Sequence, residues 1–205
     1  MTSEPLSRGR GRPPSIDDPQ KTISDVAAAL FSVKGYEGTS LQDVADAVGF
    51  TKAGLYHYYP SKPKLFESIV LGTLADMLHQ AERAVAAQSG VKGKLKAFMM
   101  AHAEYFDQNR DRYRASFFGR AGWERADFKP DELAARRAYM HLLQNILETG
   151  GDELSLDAKD IATAARGILG MLNWMARWYR PEGPKTATEI AEFYAEMLLN
   201  GLSKH

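Results

Sequence analysis

The sequence predicts an all-α protein in which an amino-terminal three-helix, helix-turn-helix unit is joined through one long helix to a larger carboxy-terminal helical domain. Three observations carry this expectation. Apolar residues recur at helical spacing in almost every segment, no alternating apolar run is long enough for a strand, and Gly, Pro and Asp clusters separate the segments. The chain has 205 residues, enough for one domain or for a small domain fused to a larger one. Its 44% hydrophobic and 25% charged residues are ordinary for a globular chain and argue against disorder or a fibre.

The elements follow in order. Ile23, Val26, Ala27, Leu30 and Phe31 form one apolar stripe at i, i+3, i+4, i+7 and i+8, a first helix that Gly35 stops. Leu41, Val44, Ala45 and Val48 repeat the pattern in a short second helix, with Thr39 and Gln42 at capping-box spacing and Gly49 as its end. Thr51 caps a third helix, Lys52 to Tyr59, which stops at Pro60 because the residue before a proline is biased away from helix. Ser61 caps a long fourth helix, with Pro63 in its first turn, that reaches about Gln88. Beyond Gly90, residues 92–109, 111–121, 130–149, 157–180 and 186–202 read as further helices. This gives a flexible basic arm over 1–17, a helix-turn-helix domain over 18–65 and a second domain over 66–205, with the boundary inside the fourth helix.

Several classes of chemistry are excluded. There is no cysteine, so no disulfide framework, thiolate nucleophile or Cys-ligated zinc is available, and a reducing compartment, the cytoplasm, is expected. The first residues lack an apolar signal-type run, and the longest uncharged apolar stretch, Ile168 to Ala176, cannot span a bilayer, so no membrane partner is expected. The histidines His57, His79, His102, His141 and His205 show no metal-binding spacing, and Asp76-x-x-His79 stands without the further carboxylates of a di-iron bundle. No nucleophile elbow, P-loop or dinucleotide fingerprint occurs. No enzyme activity, catalytic residue, metal or cofactor is expected.

Charge is balanced overall, with 26 Lys+Arg against 26 Asp+Glu, so nothing draws the whole molecule to a polyanion. The distribution is uneven. Arg8, Arg10 and Arg12 face only Glu4 ahead of Asp17, and Lys52, Lys62 and Lys64 lie in a stretch from Phe50 to Phe66 that has no acid. Two local basic patches suit a protein that touches duplex DNA with a small part of its surface, since each neutralised phosphate releases counterions. In a helix-turn-helix one helix braces and the next presents its outer face to the major groove. Ala45 is small where the helices meet, Gly49 permits the turn, and Leu55 and Tyr59 anchor the third helix. Thr51, Lys52, Ala53, Tyr56, His57 and Tyr58 then point outward, with Lys62 at the backbone. In the arm, Arg10-Gly11-Arg12-Pro13 has two open readings, a minor-groove contact through Arg10 and Arg12 or a solubilising tail.

The stretch from Gly38 to Lys62, GTSLQDVADAVGFTKAGLYHYYPSK, closely resembles the signature of TetR-family repressors. The resemblance implies a homodimer whose recognition helices enter successive major grooves of a palindromic operator, with contacts from Thr39, Ser40, Thr51, Lys52, Tyr56, His57, Tyr58 and Lys62. It also implies that the carboxy-terminal helices enclose an inducer pocket and supply the dimer interface. The segment Gly170 to Pro181, GMLNWMARWYRP, resembles TetR-type regulators of fatty-acid and steroid breakdown that respond to acyl-CoA thioesters.

This half is rich in large, adaptable apolar side chains. The candidate ligand-binding residues are Met99, His102, Tyr105, Phe106, Phe117, Trp123, Met140, Arg166, Asn173, Trp174, Arg177 and Trp178. The tryptophans line an apolar slot or belong to the core, and both readings are open. Ile161, Ala165, Ile168 and Leu172 form one face of their helix, and with Ile190, Phe193, Tyr194 and Met197 they are the candidate dimer interface. Three functions compete: a repressor released by a hydrophobic effector, a constitutive or architectural DNA binder, and a helical enzyme or carrier.

Overall fold

The computed structural model describes residues 17–118, 129–150, 153, 154 and 156–200. Among them there is no strand. The helices are α1 (Pro19–Lys34), α2 (Leu41–Val48), α3 (Lys52–Tyr58), α4 (Lys62–Ala86), α5 (Val91–Gln108), α6 (Arg110–Phe118), α7 (Pro130–Glu148), α8 (Ile161–Trp178) and α9 (Ala187–Asn200). A 3-10 turn, Ala158–Asp160, precedes α8, so this helix begins later than residue 157. The arm residues Arg10 and Arg12 and the pocket candidate Trp123 lie outside the described residues.

Caps explain the boundaries of the first four helices. Asp18, Ser40, Thr51 and Ser61 each accept a hydrogen bond from a backbone N–H of the first turn that follows. The cap of α2 corrects the sequence reading by one residue: the capping box is formed by Ser40 and Asp43, not by Thr39 and Gln42. The Thr39 hydroxyl instead donates back to the Gly35 carbonyl at 2.9 Å, closing the α1–α2 connection, and Gln42 bonds Asp46 on the surface. Gly49 ends α2 at φ +78°, a left-handed conformation that a side chain would strain, and this sets the turn into α3.

Two apolar cores share α4. The first gathers Ile23, Phe31, Val44, Leu55, Leu65 and Ile69, with Phe31, Tyr36 and Phe66 packed ring against ring, and it reaches Leu74 along α4. The second starts at Met77 and contains Phe98, Phe106, Tyr113, Leu143 and Leu172. Helix α5 lies between α4, α7 and α9, while α6 packs on both α1 and α4. One continuous helix thus supplies side chains to both cores.

Helix α8 corrects the expected dimer face. Ile161, Ala165, Ile168 and Leu172 are buried in the core of their own subunit, as is Ile190 of α9. A helix apolar on two faces needs two partners, and the sequence pattern does not say which face meets which. Here the open face is the other one: Trp174 and Trp178 are 62% and 45% exposed, and on α9 Phe193 and Leu198 are 55% and 42% exposed. Tyr194 and Met197 are half-buried beside them.

Candidate DNA-reading helix and effector pocket

Helix α3 is held by one buried side chain, Leu55. Around it, Thr51, Lys52, Ala53, Tyr56 and His57 are exposed, and Ser40 is exposed at the start of α2. These residues surround a polar cleft between the first turn of α2 and the outer face of α3, lined by Ser40, Gln42, Lys52 and Tyr56 among others. The Thr51 hydroxyl accepts from the Gly54 N–H at 3.1 Å, which leaves its own proton to donate. Tyr58 is half-buried against Phe50, so its ring serves packing as much as presentation.

Two expected DNA contacts are corrected. Thr39 is buried, with its hydroxyl on backbone carbonyls. The Lys62 ammonium donates to the carbonyls of Tyr36 and Thr39 at 2.9 and 3.1 Å, lies 3.8 Å from the Glu37 carboxylate and sits over the Tyr36 ring. Two of its three protons are committed to backbone carbonyls. It ties the start of α4 to the α1–α2 connection.

In the second domain a cavity of about 460 Å³ opens between α4, α5, α6, α7 and α8, a size suited to a small organic ligand. Of the candidate ligand-binding residues, His102, Phe117, Met140, Arg166, Asn173 and Trp174 line this cavity. Met99, Tyr105 and Phe106 do not: they are buried core residues of α5. Arg177 and Trp178 are not lining residues either. The Arg177 guanidinium lies over the Phe118 ring at 4.4 Å, bracing the pocket from outside, and Trp178 lines a separate cleft with Phe193 and Tyr194.

Sequence reading missed Leu74, Phe118, Arg136, Tyr139, Leu169 and Gly170. Arg136 donates to Glu132 at 2.9 Å and to the Ser116 carbonyl at 3.3 Å while lying over Phe117, so it fastens α7 to α6. At the pocket floor His102 is buried, and burial pushes its pKa down to about 3, so the imidazole is neutral. Its ring nitrogens lie 3.0 Å from the Tyr139 hydroxyl and 2.9 Å from the Tyr113 hydroxyl, and Tyr113 donates to Asn173 at 2.6 Å. Burial pushes both tyrosine pKa values far up, so both hydroxyls keep their protons.

Helix α6 joins this pocket to the reading head. Phe117 and Phe118 line the cavity from the last turn of the helix, and in its first turn Arg112 bonds Asp25 of α1 at 2.6 Å and Asp111 accepts from Ser32 of α1 at 2.7 Å. Burial raises the pKa of Asp25, but hydrogen bonds from Lys21 and Arg112 outweigh it, and the net shift is downward. Ser116 adds a bond to Thr73 of α4 at 3.0 Å.

Both halves of the chain match described families: "Bacterial regulatory proteins, tetR family" over residues 23–69, and "Tetracyclin repressor-like, C-terminal domain" over residues 88–202. The chain is 27% identical over 201 residues to the HTH-type transcriptional repressor KstR2 of Rhodococcus jostii, covering 93% of this chain and 97% of that protein. Among solved structures it is similar to the TetR family regulator PfmR of Thermus thermophilus, with 37% identity and TM-score 0.78 over 89% of this chain and 99% of that one. It is also similar to AibR in complex with isovaleryl coenzyme A and operator DNA, with 25% identity and TM-score 0.77 over 89% and 98% of the two chains. No helix among the described residues is long and apolar enough to cross a membrane. With both halves matched, the chain belongs to the TetR family of DNA-binding transcriptional regulators, proteins that act by binding operator DNA and small-molecule effectors and not as enzymes.

Proposed function

We propose that this regulator is a cytoplasmic homodimeric repressor that leaves a palindromic operator when a hydrophobic effector, an acyl-CoA thioester, fills the pocket between α4 and α8. The observation that carries the reading is the position of α6, whose aromatic residues wall the cavity while its Arg112 and Asp111 bond α1 of the reading head. An effector that displaces Phe117 or Phe118 therefore moves the helix that braces the head. Two linked heads must match successive grooves, so a small rotation of each lowers affinity. The mostly apolar cavity, with Arg136 and Arg166 at its edge, suits an acyl chain with an anionic extension. The likeness to a regulator solved with a coenzyme A thioester and DNA supports the same class.

Reading falls to Ser40, Thr51, Lys52, Ala53, Tyr56 and His57, with Tyr58 contributing its edge. The dimer face is formed by Trp174, Trp178, Phe193 and Leu198, large apolar side chains left exposed on α8 and α9, of which Trp178 and Phe193 line one cleft. A constitutive DNA binder is the second reading, and the apolar cavity is the feature it does not use.

The test is operator release followed by fluorescence anisotropy, with a duplex selected from a random pool. Acyl-CoA esters are expected to weaken binding by roughly 5- to 150-fold, the usual range of such coupling. No release by any acyl-CoA would overturn the effector class. Asp25→Asn removes the charge that holds Arg112 and is expected to keep DNA binding while reducing release to a few-fold; unchanged release would rule out the α6 route. Lys52→Ala is expected to lower the slope of log affinity against log salt by about 0.9 per head, as one phosphate contact is lost from each. An unaltered slope would remove Lys52 from the backbone contacts.

A further inference from the structure

We infer that Asn173 selects effectors carrying a hydrogen-bond acceptor, a carbonyl oxygen above all, because a one-way chain of hydrogen bonds beneath it holds its oxygen on Tyr113 and leaves its amide N–H groups without a protein partner at the pocket. The inference rests on the reading of this cavity as the effector site and goes beyond it by naming the group that is recognised and the residue that recognises it.

The direction of the chain follows from counting protons. A neutral His102 has one N–H and one lone pair. If Tyr139 donates to Nδ1, then His102 Nε2–H donates to the Tyr113 oxygen and Tyr113 donates to Asn173 Oδ1, so every proton has an acceptor. In the reverse direction the Tyr139 proton has no protein partner among the described residues, and the Tyr113 proton is used on His102 and no longer reaches the Asn173 oxygen. The 2.6 Å contact between Tyr113 and Asn173 is the length of an O–H···O bond and shorter than that of an amide N–H donor. The Asn173 oxygen is therefore committed to Tyr113. Its Nδ2 has no protein partner among the described residues, and Asn173 lines the cavity.

The surroundings sharpen the consequence. Phe117, Phe118, Met140 and Leu169 supply apolar wall around this amide. An apolar ligand that covers Nδ2 strips it of water and returns nothing, whereas a carbonyl oxygen satisfies it. Because Tyr113, His102 and Tyr139 fix the amide in one orientation, the selectivity is built in before the ligand arrives.

Two measurements on the full-length protein test this. In nitrogen-15 NMR of histidine-labelled protein at neutral pH, with the His102 signal assigned by its loss in His102→Gln, the neutral Nε2–H tautomer is expected; the Nδ1–H tautomer would overturn the inference. Calorimetric titration then compares octanoyl-CoA with S-octyl-CoA, a thioether that lacks only the carbonyl oxygen. The thioester is expected to bind about tenfold tighter, and the ratio to fall to about one in Asn173→Leu, a variant whose folding is checked by far-ultraviolet circular dichroism. Equal affinity of the pair for the wild type would overturn the carbonyl contact while the effector class stands. If neither compound binds, the acyl-CoA reading fails, and the tautomer alone then supports or rejects a donor-only Asn173.

Discussion

Phe193→Glu is expected to leave each subunit folded, to separate the dimer and to weaken operator binding by about 10²- to 10⁴-fold. The side chain is 55% exposed on α9 beside Trp178 and Tyr194, so its removal costs the isolated subunit little. In a twofold interface the same residue comes from both subunits, and two carboxylates would be taken out of water together, a cost that the neighbouring Arg180 and Lys185 offset only in part. The penalty for DNA binding follows from charge. With 26 basic and 26 acidic residues the molecule has no general attraction to a polyanion, so one small head binds weakly and most of the affinity comes from linking two. Linkage of that kind contributes about 10²- to 10⁴-fold. Sedimentation and anisotropy measure the two effects together. A variant that remains dimeric, or that turns monomeric and binds the operator as wild type does, would refute this account of the interface.

Leu55→Ala is the second large effect. Helix α3 has seven residues and one buried side chain, and a helix of that length is not stable alone in water. Removing its single pin from the core formed with Val44 and Leu65 is expected to destabilise the head by about 2–5 kcal/mol. Because the second domain has its own core beginning at Met77, the melting curve should divide, with an early transition for the head and an unshifted later one. Ligand binding should survive and operator binding should not. One unchanged transition would show that the two cores melt as a unit.

Helix positions were legible because apolar spacing and caps are local signals: Ser61, Gly49 and Pro60 each act on residues within one turn. Partners far along the chain were not. Lys62 looked free to bind DNA because only folding brings it to the Tyr36 carbonyl, and Thr39 because its partner at Gly35, though near, is a backbone carbonyl that no residue type marks. Tyr139 and Arg136 were missed for the same reason as Lys62, since the His102 that Tyr139 bonds and the Ser116 carbonyl that Arg136 bonds lie on other helices. The faces of α8 were exchanged because Ile161 and Leu172 are as apolar as Trp174 and Trp178, and volume decides which set fits the core. The helix-turn-helix was easier to read, because Gly49 and the spacing around Leu55 are required by its geometry.

The cavity wall and the contacts to α1 fall on different residues. Met140 and Leu169 shape the space from α7 and α8, whereas Arg112 and Asp111 hold the head from the first turn of α6. Substitutions at the first pair change which molecule fits and leave the second pair untouched. The protein is accordingly modular as a sensor: its input can drift, or be re-engineered by enlarging or filling the wall at Met140 and Leu169, while the output stays wired as before.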